Sequence, residues 1–504
     1  MAETNNNSAV QVPDQLKASL NENLVTIQGK CDRSSDLNVR QVEIGNLQVA
    51  LLITEGMVNL QTLSEMIIEP LLSLPREGEM TPEKLYRQIE EHTILAADLK
   101  DFYSFDELFN FIMSGFAVIL IDGLAVGIAL GAQGFSFRSI SEPSSEVNEM
   151  GSREGFTEPL RINMTMIRRR IKNPQLKFEL FKMGTLSKTD VALVYLTNTV
   201  SQSLLRQLRR QLQNTQLEAI LTSGYLRPFL EGKHSSLFSD VGHTERPDTL
   251  CAKIQEGRVG ILIDGTPFCL IVPYLFSENF QSVDDYAHKP YYASFVRILK
   301  YVSFLIAIFL PGTYVAVGTY HPELFPDSLL FNIVSAQETT PFPLVLEALV
   351  IHFIYEIMRE AGLRLPRPVG HAVSIVGALV IGDAAVTAGL IGSPMVLVVA
   401  LTAIASFVVP SLQEPMSFLR FAFIIVGGMW GLYGIALASA MVLTNACALT
   451  AFGVPYLTPI APFDLHAMRD TFIRASFRIL QRRTAKIQRL TGVHMSQEEP
   501  EHEN

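Results

Sequence analysis

The chain has 504 residues, a formal net charge of −10 and a mean hydropathy of +0.25. It is too apolar for an ordinary soluble protein of this length and too acidic to carry a general nucleic-acid signal. Its four cysteines, Cys31, Cys251, Cys269 and Cys447, are scattered without CxxC spacing and suggest neither a disulfide framework nor a zinc site.

The start, MAETNNNSAV, has no basic segment followed by an apolar core, so no cleavable signal peptide is expected and residues 1–30 read as disordered. Residues 31–150 and 151–292 then read as one α/β unit built twice. The pentapeptide ILIDG occurs at Ile119–Gly123 and again at Ile261–Gly265, and VALLIT at Val49 is matched by VALVYL at Val191, both at an offset of 142. Before them, LNVRQVEIG ending at Gly45 parallels LKFELFKMG ending at Gly184, with three more residues in the second copy before its VAL. A shared register across separate matches points to duplication.

Within each copy a β-rich run leads into apolar residues at helical spacing, Leu60–Leu72 in the first and Val200–Leu212 in the second. Asp122-Gly123 lies between the apolar runs Phe116–Ile121 and Leu124–Leu130, and Asp264-Gly265 lies between Val259–Ile263 and Pro267–Val272. Both predict hairpins closed by a type I′ turn, and this turn chemistry accounts for aspartates that could otherwise be read as catalytic. The basic run Arg168-Arg169-Arg170-Ile171-Lys172 could hold a phosphate or headgroup, or form a solvated helix face near the membrane or a subunit interface.

Near Lys300 the chemistry changes abruptly, and residues 293–463 read as an all-α membrane domain. Tyr301–Gly318, Pro343–Met358, Ala372–Ile391 and Pro394–Leu412 are each close to the roughly 20 apolar residues a span requires. The run Phe421–Phe463 has no charged side chain. As one straight helix it would reach roughly 65 Å, about twice the hydrocarbon thickness, so it must fold back or re-enter. About five or six crossings are expected. Residues 464–504 form a basic tail with Arg474, Arg478, Arg482, Arg483, Lys486 and Arg489, suited to setting topology or meeting anionic lipid. Arg297 and Lys300 before the first span and Arg359, Arg364 and Arg367 after the second favour the same side, whereas Thr319–Pro341 offers only Glu323, Asp327 and Glu338. Head and tail are therefore expected to be cytoplasmic.

No P-loop, GxSxG, HExxH or strand-to-helix GxGxxG is present, so no enzyme, cofactor or metal site is expected. Ionisable groups inside spans are the remaining candidates, because lipid penalises them. His352, Glu356 and Arg359 share one helical face, and Glu347 points nearly opposite. That face either lines a polar pathway or consists of helix-end groups that satisfy one another. Glu356, His352 and Asp383 are the candidate ion pathway, and Glu347 a candidate pairing residue between helices. Ala378, Gly382, Ala385 and Gly389 form a narrow stripe for close helix packing. Pro311 and Gly312 interrupt the first span and could make a gate hinge or a static kink.

Several long motifs give the chain a family likeness: SREGFTEPLRINMTMIRRRIKNPQLKFELFKMG (Ser152–Gly184), HTERPD (His243–Asp248), LPGTYVAVGTYHPELFP (Leu310–Pro326), GALVIGDAAVTAGLIGSP (Gly377–Pro394) and GVPYLTPIAPFD (Gly453–Asp464). In these it resembles the A subunit of spore germinant receptors, the GerA family, over roughly Leu37–Arg474. The resemblance implies an inner-membrane protein of dormant endospores that assembles with itself and works with a transporter-like B subunit and a lipoprotein C subunit. It also implies a role in nutrient-triggered cation release, as a ring around the ion path. The alternative is a solute carrier that binds nutrient itself, which ordinarily shows inverted repeats within the membrane domain.

Overall fold

The computed structural model describes residues 14–65, 69, 80–92, 99–134, 143, 146–232, 236–364, 384–480, 486–491 and 493. Its N-terminal part holds two five-stranded antiparallel sheets. The first comprises β1 (Leu37–Ile44), β2 (Leu47–Thr54), β3 (Leu99–Phe102), β4 (Ala117–Ile121) and β5 (Gly127–Leu130) in the order β1-β2-β4-β5-β3. The second comprises β6 (Leu176–Met183), β7 (Thr189–Leu196), β8 (Gly242–Thr244), β9 (Val259–Ile263) and β10 (Cys269–Val272) in the order β6-β7-β9-β10-β8. The pairings keep the sequence offset, since Val49 faces Ile121 in one sheet and Val191 faces Ile263 in the other.

Helices cover both faces of each sheet, which is why the central strands are continuous apolar runs rather than alternating ones. In the first repeat α1 (Leu20–Lys30) and α3 (Phe105–Ile112) pack on one face and α2 (Pro82–His92) on the other. In the second, α4 (Leu160–Arg170) and α6 (Pro247–Gln255) share a face and α5 (Gln202–Asn214) takes the other. On α5 the buried Leu204, Leu205, Leu208 and Leu212 form one stripe, with its arginines on the remaining surface.

Two expectations change. The disordered reading of residues 1–30 fails at Leu20–Lys30, which is α1, with Leu20, Leu24 and Ile27 buried in the first core. The Asp-Gly hairpins form, but not as two-residue type I′ turns: the strands resume only at Gly127 and Cys269, and Gly123 and Gly265 alone take positive φ, 93° and 86°. The aspartates are instead turned toward a helix. Asp122 Oδ1 accepts from the Leu20 amide at 2.9 Å, and Asp264 Oδ1 accepts from the Leu160 amide at 2.9 Å. Each satisfies a donor left free at the start of its repeat's first helix. The three extra residues before β7 lengthen the β6–β7 connection relative to the Gly45-Asn46 turn between β1 and β2.

The C-terminal part is helical: α7 (Pro290–Tyr320), α8 (Asp327–Thr339), α9 (Leu344–Arg364), α10 (Ser393–Phe407) and α11 (Gln413–Ala448). Among the described residues two helical stretches, Pro290–Tyr320 and Pro410–Ala448, are long and apolar enough to cross a membrane. A third counts if Leu330–Thr339 and Leu344–Arg364, bent by 80°, are one broken span. The expected span at Ala372–Ile391 lies largely outside the described residues. The long final run does fold back. Gly431 breaks α11 with φ 63° and ψ −150°, a conformation open to glycine. Gly431 lies against Tyr320 at the far end of α7, whereas Ser411 and Asn445, on either side of the break, both hydrogen-bond the head, at the Asn279 carbonyl and Ser236. Each arm is roughly 26 Å long, close to the hydrocarbon thickness.

The two repeats are joined by a buried ion pair. Arg168 donates to both Asp36 oxygens at 2.8 and 2.9 Å and to the Leu176 carbonyl at 2.8 Å, and both side chains are almost fully buried. Arg169 and Arg170 pair with Glu154. The three arginines of the basic run are thus engaged by acidic partners of the head, which leaves Lys172 as its exposed member. Removing one partner of such a pair strands a buried charge. Asp36→Ala should therefore destabilise the head by about 3–5 kcal/mol, whereas Arg161→Ala, which breaks only the exposed pair with Glu55, should cost under about 1 kcal/mol. Urea unfolding of the detergent-solubilised chain separates the two.

Candidate functional site

The polar face expected on α9 is present, and it is gathered around a residue that the apolar pattern concealed. Arg420, on the first arm of α11, is fully buried and places Nη1 3.3 Å from Glu356 Oε1. Glu356 Oε2 lies 2.7 Å from Arg359 Nη2, and Arg359 Nη1 donates to Ser417 Oγ at 3.0 Å. Arg420 Nε donates to the Ala307 carbonyl of α7 at 3.1 Å, and its guanidinium lies over the Tyr355 ring. His352 is fully buried beside them, with Nδ1 2.8 Å from the Ala348 carbonyl. Glu356 and His352 therefore share a site, but a carboxylate between two guanidiniums has its charge already met, which suits it to hold helices together. The clue in the sequence was a lone arginine just before an uncharged run.

Glu347, opposite this face, is buried, and its Oε1 accepts from the Gly392 amide at 2.7 Å at the entrance of α10. Its partner here is therefore a backbone amide at a helix start and not another side chain. Of the packing stripe, Ala385 begins a short helical turn and Gly389 takes φ 68°; Ala378 and Gly382 lie outside the described residues, as does Asp383. Pro311 sits inside α7, which runs through it without a break in its helix. Gly312 marks a close approach of α7 and α11. A Cβ on Gly312 would come 2.6 Å from the Phe423 carbonyl oxygen, and one on Gly427 would come 2.5 Å from the Gly312 carbonyl oxygen.

A second cluster ties head to membrane helices. Arg297, near the head end of α7, is fully buried, with Nε 2.7 Å from Asp285 Oδ2 and Nη1 2.7 Å from Asp470 Oδ1. Tyr286 donates to Asp470 at 2.7 Å, and Arg474 packs over the Tyr286 ring. Above it, Phe280 stacks on Tyr301 at 3.8 Å, and Phe276 contacts Phe304 and Tyr456 edge-on. The loop carrying these phenylalanines is fixed by Glu278, which accepts from the Leu275 amide and pairs with Arg258 and Lys253. Burial works against the ionisation of Glu278, yet the two cations hold its carboxyl below the usual carboxylate range. Part of the tail returns to the head: the Ile487 amide donates to the Glu256 carbonyl at 3.0 Å and Gln488 Nε2 to the Thr199 carbonyl at 2.6 Å. No group of side chains suited to a metal ion occurs among the described residues.

Residues 25–486 match the family described as Bacillus/Clostridium GerA spore germination protein. Spore germination protein KA of Bacillus subtilis (strain 168) is 41% identical over 467 residues, covering 92% of this chain and 85% of the relative. Spore germination protein GerLA of Bacillus cereus is 33% identical over 478 residues, covering 94% and 96%. Among solved structures, the N-terminal domain of the A subunit of the Bacillus megaterium spore germinant receptor GerK3 aligns with a TM-score of 0.43 and 29% identity, covering 53% of this chain and 99% of that one.

The Gly312–Gly427 crossing gives a direct test. Gly427→Leu should push α7 and α11 apart and sharply lower the amount of subunit in the membrane, because neither backbone can yield to a side chain. Gly362→Ala, where an added Cβ meets nothing within 4 Å, should leave it unchanged. Immunoblots of membrane fractions read both, and normal abundance of the Gly427→Leu chain would rule out a tight crossing.

Proposed function

Because the chain belongs to the GerA family of spore germination proteins, we propose that it is the A subunit of a nutrient germinant receptor in the inner membrane of a bacterial endospore. It assembles with copies of itself in contact with membrane lipid, beside a transporter-like B subunit that binds the nutrient and a lipoprotein C subunit on the outer face. Its role is to convert nutrient binding on the partner into cation release through a path between its membrane helices. The observation that carries this reading is the extent of the family match, which takes in both head repeats and the membrane helices. A carrier that bound nutrient unaided would be expected to repeat its membrane helices; the repeat found among the described residues is in the head. Deletion of the chain should abolish nutrient-triggered cation release, and reintroduction should restore it only when the B subunit is present. Specific binding of radiolabelled nutrient by the purified chain alone would favour the carrier.

In this reading head and tail share the cytoplasmic side. Two independent features support this: the basic residues near the span ends, and the docking of Ile487 and Gln488 on the second repeat. Cys447 is the exposed native thiol and is first replaced by serine. In that background an impermeant maleimide applied from outside should label Ser328→Cys, between the first spans, and should reach Val25→Cys, on the exposed side of α1, only after permeabilisation. Equal labelling of the two before permeabilisation would overturn the arrangement.

A further inference from the structure

A proline within a helix has no amide hydrogen, so the carbonyl four residues earlier loses its partner. In α7 the proline is Pro311 and the carbonyl is that of Ala307. Inside lipid such a group must be met by another part of the protein. Here the donor is Arg420 Nε from α11, at 3.1 Å. Ala307 and Arg420 are both fully buried, so solvent does not compete. The approach depends on the Gly312–Gly427 crossing one to two turns further on, where no side chain keeps the two backbones apart. The opposite side of the guanidinium is held by Glu356 of α9, itself braced by Arg359.

We propose that Arg420 is a latch joining the first span to α9 and α11, its acceptor being the carbonyl that Pro311 frees, and that the closed latch defines the resting arrangement of the membrane helices. A buried arginine is expensive among apolar helices, and its desolvation is offset only while every partner is in place. Lysine at this position could not reach the carbonyl and the carboxylate in the same geometry, because it lacks the planar fork. When the Ala307 contact opens, α7 is left with a proline and an unmet carbonyl at one level, where the helix bends most easily. Glu356 acts here as a positioning residue for Arg420, not as a ligand for the passing ion.

The latch rests on the receptor reading for its physiological output, but its own logic is tested by restoring the missing amide. Pro311→Ala supplies the Ala307 carbonyl with a donor from its own helix, so Arg420 becomes dispensable there. In spores carrying the complete receptor, Arg420→Met should raise nutrient-independent cation release about tenfold, the scale of one hydrogen bond to a charged group. Arg420→Lys should behave similarly, and Pro311→Ala with Arg420→Met should return release toward the parental rate. Subunit abundance is measured in every strain. If Arg420→Met chain fails to accumulate, recovery of its abundance by Pro311→Ala supports the latch and absence of recovery overturns it. Parental release from Arg420→Met at parental abundance also overturns it, as does a double variant as leaky as the single one. Deletion of the chain is the separate control: a nutrient response that survives it would refute the receptor role, leaving the abundance comparison to judge the latch.

Discussion

Arg297 is the contact on which the arrangement of the whole chain depends. It emerges from the first turns of α7, and its two carboxylate partners come from Asp285 in the segment leaving the head and Asp470 in the segment leaving the last membrane helix. Three parts of the chain that meet nowhere else in sequence are thereby fixed around one buried cation. A buried pair of this kind adds little net stability over a well-packed apolar group, but it tolerates no loss of a partner. Its consequence is geometric. Head, first span and C-terminal segment can move only as one body at this level. The Phe280–Tyr301 stack directly above and the docking of Ile487 on the second repeat extend the same joint.

The two repeats share a topology but not a task. Aromatic and ionic contacts to the membrane helices come from the second repeat, through Phe238, Phe276, Phe280 and the loop set by Glu278. The first repeat is held to the second chiefly through Asp36 and Arg168 and through Ser34 on β6. Among the described residues the end of the first repeat also reaches the segment that leads into α7, where the Glu149 and Met150 amides donate to Asp284.

The duplicated sheets were legible in the sequence because their central strands are buried on both faces. Such strands are short apolar runs, and two of them in each copy kept a common register. The helices Pro290–Tyr320 and Leu344–Arg364 were legible for a similar reason, as was the reversal of the final run, which no bilayer could accommodate straight; α8, in a stretch without a long apolar run, was not. The uses of individual polar residues were not. Asp122 looked like turn chemistry alone because its second role is a bond to Leu20, far back in the chain. Arg168 looked like surface charge because Asp36 is equally remote. Arg420 escaped notice because a single arginine at the edge of an apolar run resembles a topological flank, and only the three-dimensional crossing brings it beneath Pro311. Ala378, Gly382 and Asp383 were singled out by pattern but belong to a stretch outside the described residues.

Polar groups inside an apolar bundle differ from packing contacts in how they fail. A methyl group displaced by half an ångström loses a fraction of its contact energy. A guanidinium drawn away from a carbonyl in the same surroundings loses its bond and leaves two desolvated groups behind. The contact of Arg420 with Ala307 and Glu356 is therefore close to two-state, while the glycine crossing beside it holds the backbones of α7 and α11 in direct contact. A bundle built from both has a defined resting position, set by the polar contact. That combination lets a small movement delivered at Arg297, at the head end of α7, become a discrete change further along the same helix.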